Sequence, residues 1–230
     1  MSAQSAKLAI TIGDPAGVGP DVISKWAASA PAELLRQVEG IAHPRFLATL
    51  PAEVGKRPVG SPDFVPTAGE PSAEGCRVAF DALEAAAMGC IDGTYRAVTT
   101  APISKYQMRK IGFEFAGQTE FFAARWGGEP VMCFAGKELI VALTTWHEPL
   151  ATVAEHLDKP RISRAVEAAA ILARKLRFAK SPRIAVCGFN PHAGEDGLIG
   201  REEIEKIDPV LDSLRPVYPD LSRTLPPDTV

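Results

Sequence analysis

Continuously apolar runs alternate along the chain with stretches whose apolar residues recur at helical spacing. The apolar runs cover residues 8–12, 95–100, 139–145 and 183–186, and each is followed by a polar or glycine-rich loop. Short apolar runs of this kind are typical of buried strands, and the amphipathic stretches between them are typical of helices. Strands that alternate with helices favour an α/β fold with a largely parallel or mixed sheet.

Helix-capping residues frame the predicted helices. Proline is favoured in the first turn of a helix and acidic residues are favoured near its positive end, as at Pro20 and Asp21. Ser72 is of a residue type that caps a helix by accepting a backbone hydrogen bond, and Thr119 is predicted to do the same. The predicted helices open at about residue 20, cover 72–88, open again near 119, and cover 161–177 and 200–214.

Other segments complete the prediction. The run at 45–50 is interpreted as a further strand, and two strands within 131–145, joined at a glycine turn, predict some antiparallel pairing. Pro209 is expected to kink or shorten the helix that contains it. The proline-rich sequence from residue 216 onwards is interpreted as a loop.

Composition restricts the classes of protein to consider. The 230 residues suffice for one large or two small domains, and the 46% hydrophobic content is that of a soluble globular protein. A net charge of −3 gives no indication of a nucleic-acid surface. No apolar run is long enough for a membrane span or a secretory signal. The scattered cysteines predict reduced, mostly buried thiols in a cytoplasmic protein: Cys76, Cys90, Cys133 and Cys187.

The glycine-rich loop at 13–20 follows the first predicted strand and precedes a helix. That arrangement presents backbone N–H groups to an anion. The spacing is neither GxGxxG nor GxxxxGK[ST], so the loop is neither a dinucleotide fingerprint nor a P-loop. A tight turn that merely needs glycine is the other interpretation, and the loop taken alone favours it.

Two histidines occupy loops directly after predicted strands. His147 follows the strand that ends at 145, and His192 lies in the loop NPHAGE at 190–195. If the two strands are neighbours that run the same way, both loops lie at one sheet edge and the imidazoles could share a divalent cation. A third ligand must then come from elsewhere. Within the chain the candidates are Glu195, Asp196 and His156.

These residues also have simpler interpretations. His192 could do no more than cap the helix that follows its loop. His156 resembles part of a solvated helix end, and His43 is expected in a solvated loop. Lys105, just past a strand end, could reach into a cleft, although most lysines are only solvated.

Five stretches of the chain resemble the 4-hydroxythreonine-4-phosphate dehydrogenase family (PdxA), a family of pyridoxine biosynthesis. They fall in the family's order over nearly the whole chain, and the NPHAGE stretch is highly specific. The stretches are IGDPAGVGP at 12–20, TAPISK at 100–105, GQTEF at 117–121, ALTTWHEPL at 142–150 and NPHAGE at 190–195.

The resemblance implies a two-domain α/β fold similar to the isocitrate and isopropylmalate dehydrogenases. The first domain is expected at 1–115, and the second, with the metal histidines and the dimer surface, at 116–230. The resemblance also implies a homodimer whose active site lies in the cleft between domains and is completed by the partner subunit. In such enzymes a divalent metal (Zn, Mg, Mn or Co) and NAD or NADP oxidise a secondary alcohol, and the resulting β-keto acid loses CO2.

The resemblance further implies roles for individual residues. Lys105 could assist proton transfer or bind a substrate anion, and Asp14 could hydrogen-bond substrate or orient its loop. His147 and His192 match two of the family's three metal ligands, and Gln118 and Thr119 stand at the positions of a His-Thr pair that contacts substrate.

The chain departs from the family pattern at residue 118, where glutamine replaces the histidine of a His-Thr pair. Glutamine keeps a donor and an acceptor but cannot carry a positive charge. A site without that charge is compatible with substrates other than the phosphorylated hydroxythreonine. Other phosphorylated sugar acids and cyclic dihydrodiols that bear carboxylates are the alternatives.

Full-length relatives are expected to continue well past the position of Val230. The further part would carry the third metal histidine, basic phosphate-binding residues and most of the NAD site, and would complete the sheet of the first domain. For a chain that ends at Val230 we expect weak metal and NAD binding and little turnover. We also expect an exposed sheet edge that favours association.

Three functions stay open on the sequence alone. The first is a metal- and NAD-dependent dehydrogenase of this family. The second is a non-catalytic remnant that keeps the dimer surface or a ligand pocket. The third is an unrelated metal hydrolase that uses His147, His192 and Glu195, and it is disfavoured because no short ligand motif such as HExxH is present.

Overall fold

The computed structural model describes residues 6–177 and 180–229, and the chain divides into two compact units, Met1–Pro130 and Val131–Val230. The division falls later than the expected one at residue 115. Its physical reason is that Phe121 and Phe122, both past residue 115, are buried in the core of the first unit. The α/β class with mixed pairing is confirmed.

The first unit is built on a parallel sheet. Its strands are β1 (Lys7–Thr11), β2 (Val38–Ala42), β3 (Gly55–Pro58) and β4 (Tyr95–Thr100), in the order β3-β2-β1-β4. From β1 the chain moves outward to β2 and β3, and then returns to β4 on the other side of β1. The carboxyl ends of β1 and β4 therefore flank a topological switch point, where open α/β sheets bind their ligands.

Helices pack on this sheet largely where the sequence predicts them. Ser72 caps its helix as expected, because its Oγ accepts a hydrogen bond from the backbone N–H of Gly75 at 3.1 Å. Pro20 lies in the first turn of its helix, which is also confirmed. The helices are α1 (Gly19–Ser29), α2 (Ala32–Arg36), α3 (Pro44–Leu47), α4 (Ala73–Ile91), α5 (Lys105–Lys110) and α6 (Gln118–Trp126).

Three predictions for the first unit are wrong. Residues 45–50 form no strand, because Pro44 opens α3 and the side chain of His43 caps it by accepting from the N–H of Arg45. His43 is not solvated: it is 1% exposed, and its Nε2 lies 2.7 Å from the carbonyl of Ser61. Thr119 lies inside α6 and does not cap it, because the capping position is Gly117.

The second unit contains two small sheets. Strands β5 (Cys133–Ala135) and β6 (Ile140–Ala142) form the predicted antiparallel hairpin, and β7 (Ile184–Cys187) pairs in parallel with β8 (Leu221–Leu225). The helices are α7 (Val153–His156), α8 (Lys159–Arg177) and α9 (Asp208–Leu214), together with a π-helical turn at Glu203–Ile207 and 3-10 turns at Leu150–Thr152 and Pro191–Gly197.

Strand β8 contradicts the loop prediction for the segment after residue 216. Leu221 is buried and packs with Leu211 and Ile162 in the core of this unit. Pro209 behaves as expected: it lies in the first turn of α9, and the turn before it is π-helical. Proline favours this position because it has no backbone N–H to lose there.

The cysteines and helices bear on two further predictions. The cysteines are free, but only Cys76 is buried, and Cys187 is exposed, so the expectation of mostly buried thiols is wrong. Among the helices of residues 6–177 and 180–229, none is long and apolar enough to cross a membrane.

Candidate active site

The loop after β1 is tied to the loop after β4. The backbone N–H of Asp14 donates to the carbonyl of Pro102 at 2.9 Å, and the Asp14 carboxylate accepts from the N–H of Ala16 at 2.9 Å. Gly13 adopts φ +69°, and a Cβ there would lie 2.3 Å from the Pro102 oxygen, so this position requires glycine. The result is a buried Asp14 fixed at the carboxyl edge of the sheet.

Gln118 is anchored to the same segment from the start of α6. Its side-chain Nε2 donates to the carbonyl of Ala101 at 3.2 Å. Its Oε1 is buried and has no hydrogen-bond partner among the described residues. One N–H of the amide is used in the contact with Ala101, and the side-chain oxygen is an acceptor that no described group uses. Thr119 follows it in the first turn of α6 and is half-buried.

Lys105 begins α5 and is exposed to solvent. A Cβ added at Gly117 would lie 3.8 Å from the Lys105 Nζ and 3.1 Å from an oxygen of Glu120. The ammonium group therefore lies beside the N-terminus of α6, where Gln118 is anchored. The four candidates predicted for this part of the chain are thus gathered around residues 101–105.

His147 lies in the loop after β6, is exposed and has a left-handed backbone conformation with φ 54°. The next residue, Glu148, is fixed by its neighbours: one oxygen accepts from Arg161 at 2.6 Å and the other lies 2.7 Å from the Nδ1 of His156. The hydrogen bond from Arg161, and next that from His156, hold the pKa of Glu148 below its ordinary value. His156 ends α7 with its side chain 41% exposed, as expected, and its ring is a hydrogen-bond partner of Glu148.

His192 lies in the loop after β7 and also has a left-handed backbone, with φ 53°. Its side chain is 58% exposed, and its Nδ1 lies 3.2 Å from an oxygen of Asp228. A carboxylate beside one ring nitrogen can orient the imidazole and leaves the other nitrogen for a metal. The capping interpretation is wrong, because the helical turn that opens at Glu203 has no side-chain cap.

A buried carboxylate lies beneath the His192 loop. Glu203 is 2% exposed, and its two oxygens accept from the backbone N–H of Asn190 at 2.7 Å and from the Asn190 side chain at 2.9 Å. Burial alone would raise the pKa of Glu203. The hydrogen bonds, those from Asn190 foremost, outweigh burial and lower the pKa below its ordinary value of 4.5.

The two histidine loops follow strands of separate sheets. Strand β6 pairs with β5 and β7 pairs with β8, so the condition under which both loops would lie at one sheet edge is not met among the described strands. Both strands nevertheless line one mostly apolar cavity of about 700 Å³ within the second unit, together with α8. Among the described residues no group of three His, Cys, Asp or Glu side chains is placed to hold a metal. The expected third ligands Glu195 and Asp196 are exposed and do not complete such a group.

Sequence reasoning missed Asp228 and Glu203. The sequence spacing does indicate that Glu203 is buried. Ile207 and Leu211 follow it at four-residue intervals, so the three residues share one helical face, and that face is buried. No sequence pattern indicates the position of Asp228, because its approach to His192 depends on the parallel pairing of β7 with β8.

Comparisons with known proteins identify the family of the chain. The family model described as "Pyridoxal phosphate biosynthetic protein PdxA" matches residues 21–230. A 4-hydroxythreonine-4-phosphate dehydrogenase of Chromobacterium violaceum is 37% identical over an alignment that is 244 residues long with its gaps. The alignment covers 97% of this chain and 73% of that protein. Relatives of this kind are dehydrogenases, that is, oxidoreductases.

Solved structures give the same result. The crystal structure of 4-hydroxythreonine-4-phosphate dehydrogenase from Klebsiella pneumoniae matches with a TM-score of 0.83 and 29% identity, over 98% of this chain and 77% of that one. A terephthalate 1,2-cis-dihydrodiol dehydrogenase from Burkholderia xenovorans matches with a TM-score of 0.69 and 26% identity, over 97% of this chain and 74% of that one. With the family model matching residues 21–230, the chain belongs to the PdxA family.

Proposed function

We propose that this chain is a divalent-metal- and NAD-dependent dehydrogenase that oxidises the secondary alcohol of a hydroxy acid, after which the β-keto acid loses CO2. The phosphorylated hydroxythreonine named for its relatives is the first candidate substrate. The observation that carries the proposal is the pairing of His192 with Asp228 on the NPHAGE loop. That pairing is typical of a histidine that ligates a metal.

The donor set fits a divalent metal in part. His147 and His192 are imidazole donors, a ligand type that suits Zn, and each lies on a loop with carboxylate contacts. A metal so held would bind the substrate hydroxyl and lower its pKa. Two ligands are too few for a tight site, so the proposal requires a third ligand from outside the described residues.

The residues of the first unit are proposed to bind and orient the substrate. Lys105 supplies an exposed ammonium group for a substrate anion, or moves a proton. Asp14 keeps its loop in place and can accept from a substrate hydroxyl. Gln118 presents an acceptor, and Thr119 adds a hydroxyl beside it.

The nicotinamide cofactor and the partner subunit are proposed on family grounds alone. The loop at 13–20 lacks the dinucleotide fingerprint, so no residue is assigned to NAD or NADP and no step is derived through it. A two-domain arrangement similar to the isocitrate dehydrogenases, and a homodimer that completes the site, belong to the same proposal.

A carboxylated cis-dihydrodiol is the second candidate substrate. Two observations favour it: the likeness to the Burkholderia xenovorans dihydrodiol dehydrogenase, and the glutamine at 118 in place of histidine. An uncharged acceptor at this position suits a substrate hydroxyl better than a phosphate oxygen, which is itself an acceptor.

The experiment is an NADH-formation assay on the purified chain with Zn, Co, Mn or Mg. The phosphorylated hydroxythreonine and the carboxylated dihydrodiol are the two substrates, and His192→Ala and His147→Ala are the metal-site variants. We expect weak but measurable metal-dependent NADH formation that both variants abolish. No NADH with either substrate, or full activity in His192→Ala, would contradict the proposal.

A further inference from the structure

The loop that carries His192 is strained over five consecutive residues. Residues 192–196 have φ values of 53°, 55°, 79°, 45° and 54°, which is the left-handed helical region. Apart from Gly194, each residue is strained in that conformation, because its Cβ lies too close to the carbonyl oxygen that follows. A run of this kind persists only where surrounding contacts over-determine it.

Glu203 supplies those contacts at the beginning of the run. Its carboxylate binds both the backbone N–H and the side-chain amide of Asn190, two residues before His192. The carbonyl of Asn190 in turn accepts from the N–H of Ala193 at 3.1 Å, inside the left-handed turn. The buried carboxylate is therefore joined to the strained turn through Asn190, whose side chain also donates to an oxygen of Glu202 at 2.7 Å.

The turn is also shaped to fit the carboxylate. A Cβ added at Gly194 would lie 2.8 Å from one oxygen of Glu203. A Cβ at Gly188 would lie 3.3 Å from the other oxygen and 2.7 Å from the Cα of Ala193. The backbone at Gly194 thus lies closer to Glu203 than a side chain would allow, and Gly188 packs closely against the turn at Ala193.

We propose that Glu203 is the positioning residue of His192: its buried carboxylate holds Asn190 and thereby fixes the left-handed turn that aims the imidazole. The inference rests on the proposed function only in that His192 is taken as a metal ligand. Glu203 is not itself a ligand, because its oxygens are occupied by Asn190 and it is buried under the loop.

Glu203→Gln tests the proposal with little change of volume. A glutamine side chain has one acceptor oxygen and one NH2 group. One of the two hydrogen bonds from Asn190 is therefore lost, because an N–H of Asn190 then faces the NH2 group. Glu205→Gln is the matched control, because Glu205 belongs to the same π-helical turn but is exposed and pairs with Arg201. A cooperative thermal unfolding transition is the check that both variants are folded.

The first readout is the dissociation constant for Co²⁺ alone, measured by titration calorimetry. We expect Glu203→Gln to weaken Co²⁺ binding by about 10–100-fold, as is usual for residues that support metal ligands, and Glu205→Gln to leave it within about twofold. If His192→Ala loses binding while Glu203→Gln keeps it, the positioning role is overturned and the proposed function stands. If the wild type binds no Co²⁺, or His192→Ala binds as the wild type does, the proposed function is overturned.

The second readout needs no metal. The N–H groups of Ala193 and Ile199 donate within the loop, to Asn190 and Gly194. Their hydrogen exchange should accelerate at least about tenfold in Glu203→Gln and stay unchanged in Glu205→Gln. Unchanged exchange in Glu203→Gln would overturn the positioning role whatever the metal titration gives.

Discussion

The Nδ1 of His192 lies 3.2 Å from the carboxylate of Asp228. The two residues follow β7 and β8, which run in parallel, so both strands deliver them to the same end of the small sheet. A carboxylate in this position orients the ring and makes the opposite nitrogen a better ligand. We therefore expect Asp228 to restrict the orientation of the His192 ring.

Replacing this carboxylate should weaken metal binding. We expect Asp228→Asn to raise the dissociation constant for Zn²⁺ by about 10–100-fold, because the ring is no longer held in one orientation and tautomer. Titration calorimetry measures the constant. Glu167→Gln, an exposed position on α8, is the control and should change nothing. Wild-type affinity in Asp228→Asn, with binding lost in His192→Ala, would show that the pair has no role in ligation.

Gln118→His should shift substrate preference toward phosphate. A histidine can carry the positive charge that glutamine lacks, and a charged hydrogen bond to phosphate corresponds to roughly a tenfold gain in kcat/KM. The gain should be larger at pH 6 than at pH 8, because an ordinary histidine is protonated only below about pH 6.5.

The control for this substitution is Gln107→His on α5, where the native side chain also donates to a carbonyl, that of Pro71. Steady-state rates on the phosphorylated hydroxythreonine and on the carboxylated dihydrodiol give the comparison. Equal rates in Gln118→His and wild type on both substrates would show that residue 118 does not determine substrate preference.

Much of the fold could be predicted because local sequence determines it. The strand Tyr95–Thr100 and the Ser72 cap follow from a short apolar run and a hydroxyl at the right position. Strand β8 could not be predicted, because its sequence has only two leucines and it is ordered by pairing with β7. His43 was misjudged for a similar reason: its partner Ser61 is eighteen residues away.

The candidate site divides in the same way. The loops of His147 and His192 could be found because each directly follows an apolar strand. The residues that hold those loops could not, because Asp228 and Arg161 approach them only through tertiary structure. Sequence patterns thus locate the reactive groups, while the contacts that orient them depend on strand pairing and helix packing.

Gly13→Ala should destabilise the first unit and release Asp14. The substitution combines an unfavourable φ of +69° with a Cβ 2.3 Å from the Pro102 oxygen, a backbone atom that cannot move away alone. Gly93→Ala is the matched control, because its φ is +82° but nothing lies within 4 Å of the added Cβ. Gly93→Ala should cost about 1–2 kcal/mol from backbone strain alone. Gly13→Ala should cost clearly more in urea denaturation, and equal costs would show that the close approach to Pro102 is not rigid.

The stability of the second unit should depend on the ionisation of Glu203. Its pKa is lower in the folded protein than the ordinary value of 4.5, so the folded state binds its proton less readily than the unfolded state does. Its contribution is therefore fully present above about pH 4.5 and is lost as the pH falls through the folded pKa. Glu203→Gln removes this titration and should lower the unfolding free energy at pH 7 by about 1.5–3 kcal/mol, the range for hydrogen bonds to a charged group.

Urea denaturation followed by circular dichroism at several pH values between 7 and 3 measures the effect. The stability difference between wild type and Glu203→Gln should be largest at pH 7 and should shrink below pH 4.5, as the native carboxylate takes up its proton. Glu205→Gln, on the exposed side of the same turn, should show a small difference that barely changes with pH. A wild-type advantage over Glu203→Gln that stays constant down to pH 3 would mean that the pKa of Glu203 is the same in the folded and unfolded states. An advantage that grows as the pH falls from 7 would mean that the buried group is neutral at pH 7, so that the hydrogen bonds from Asn190 would not be bonds to a charge.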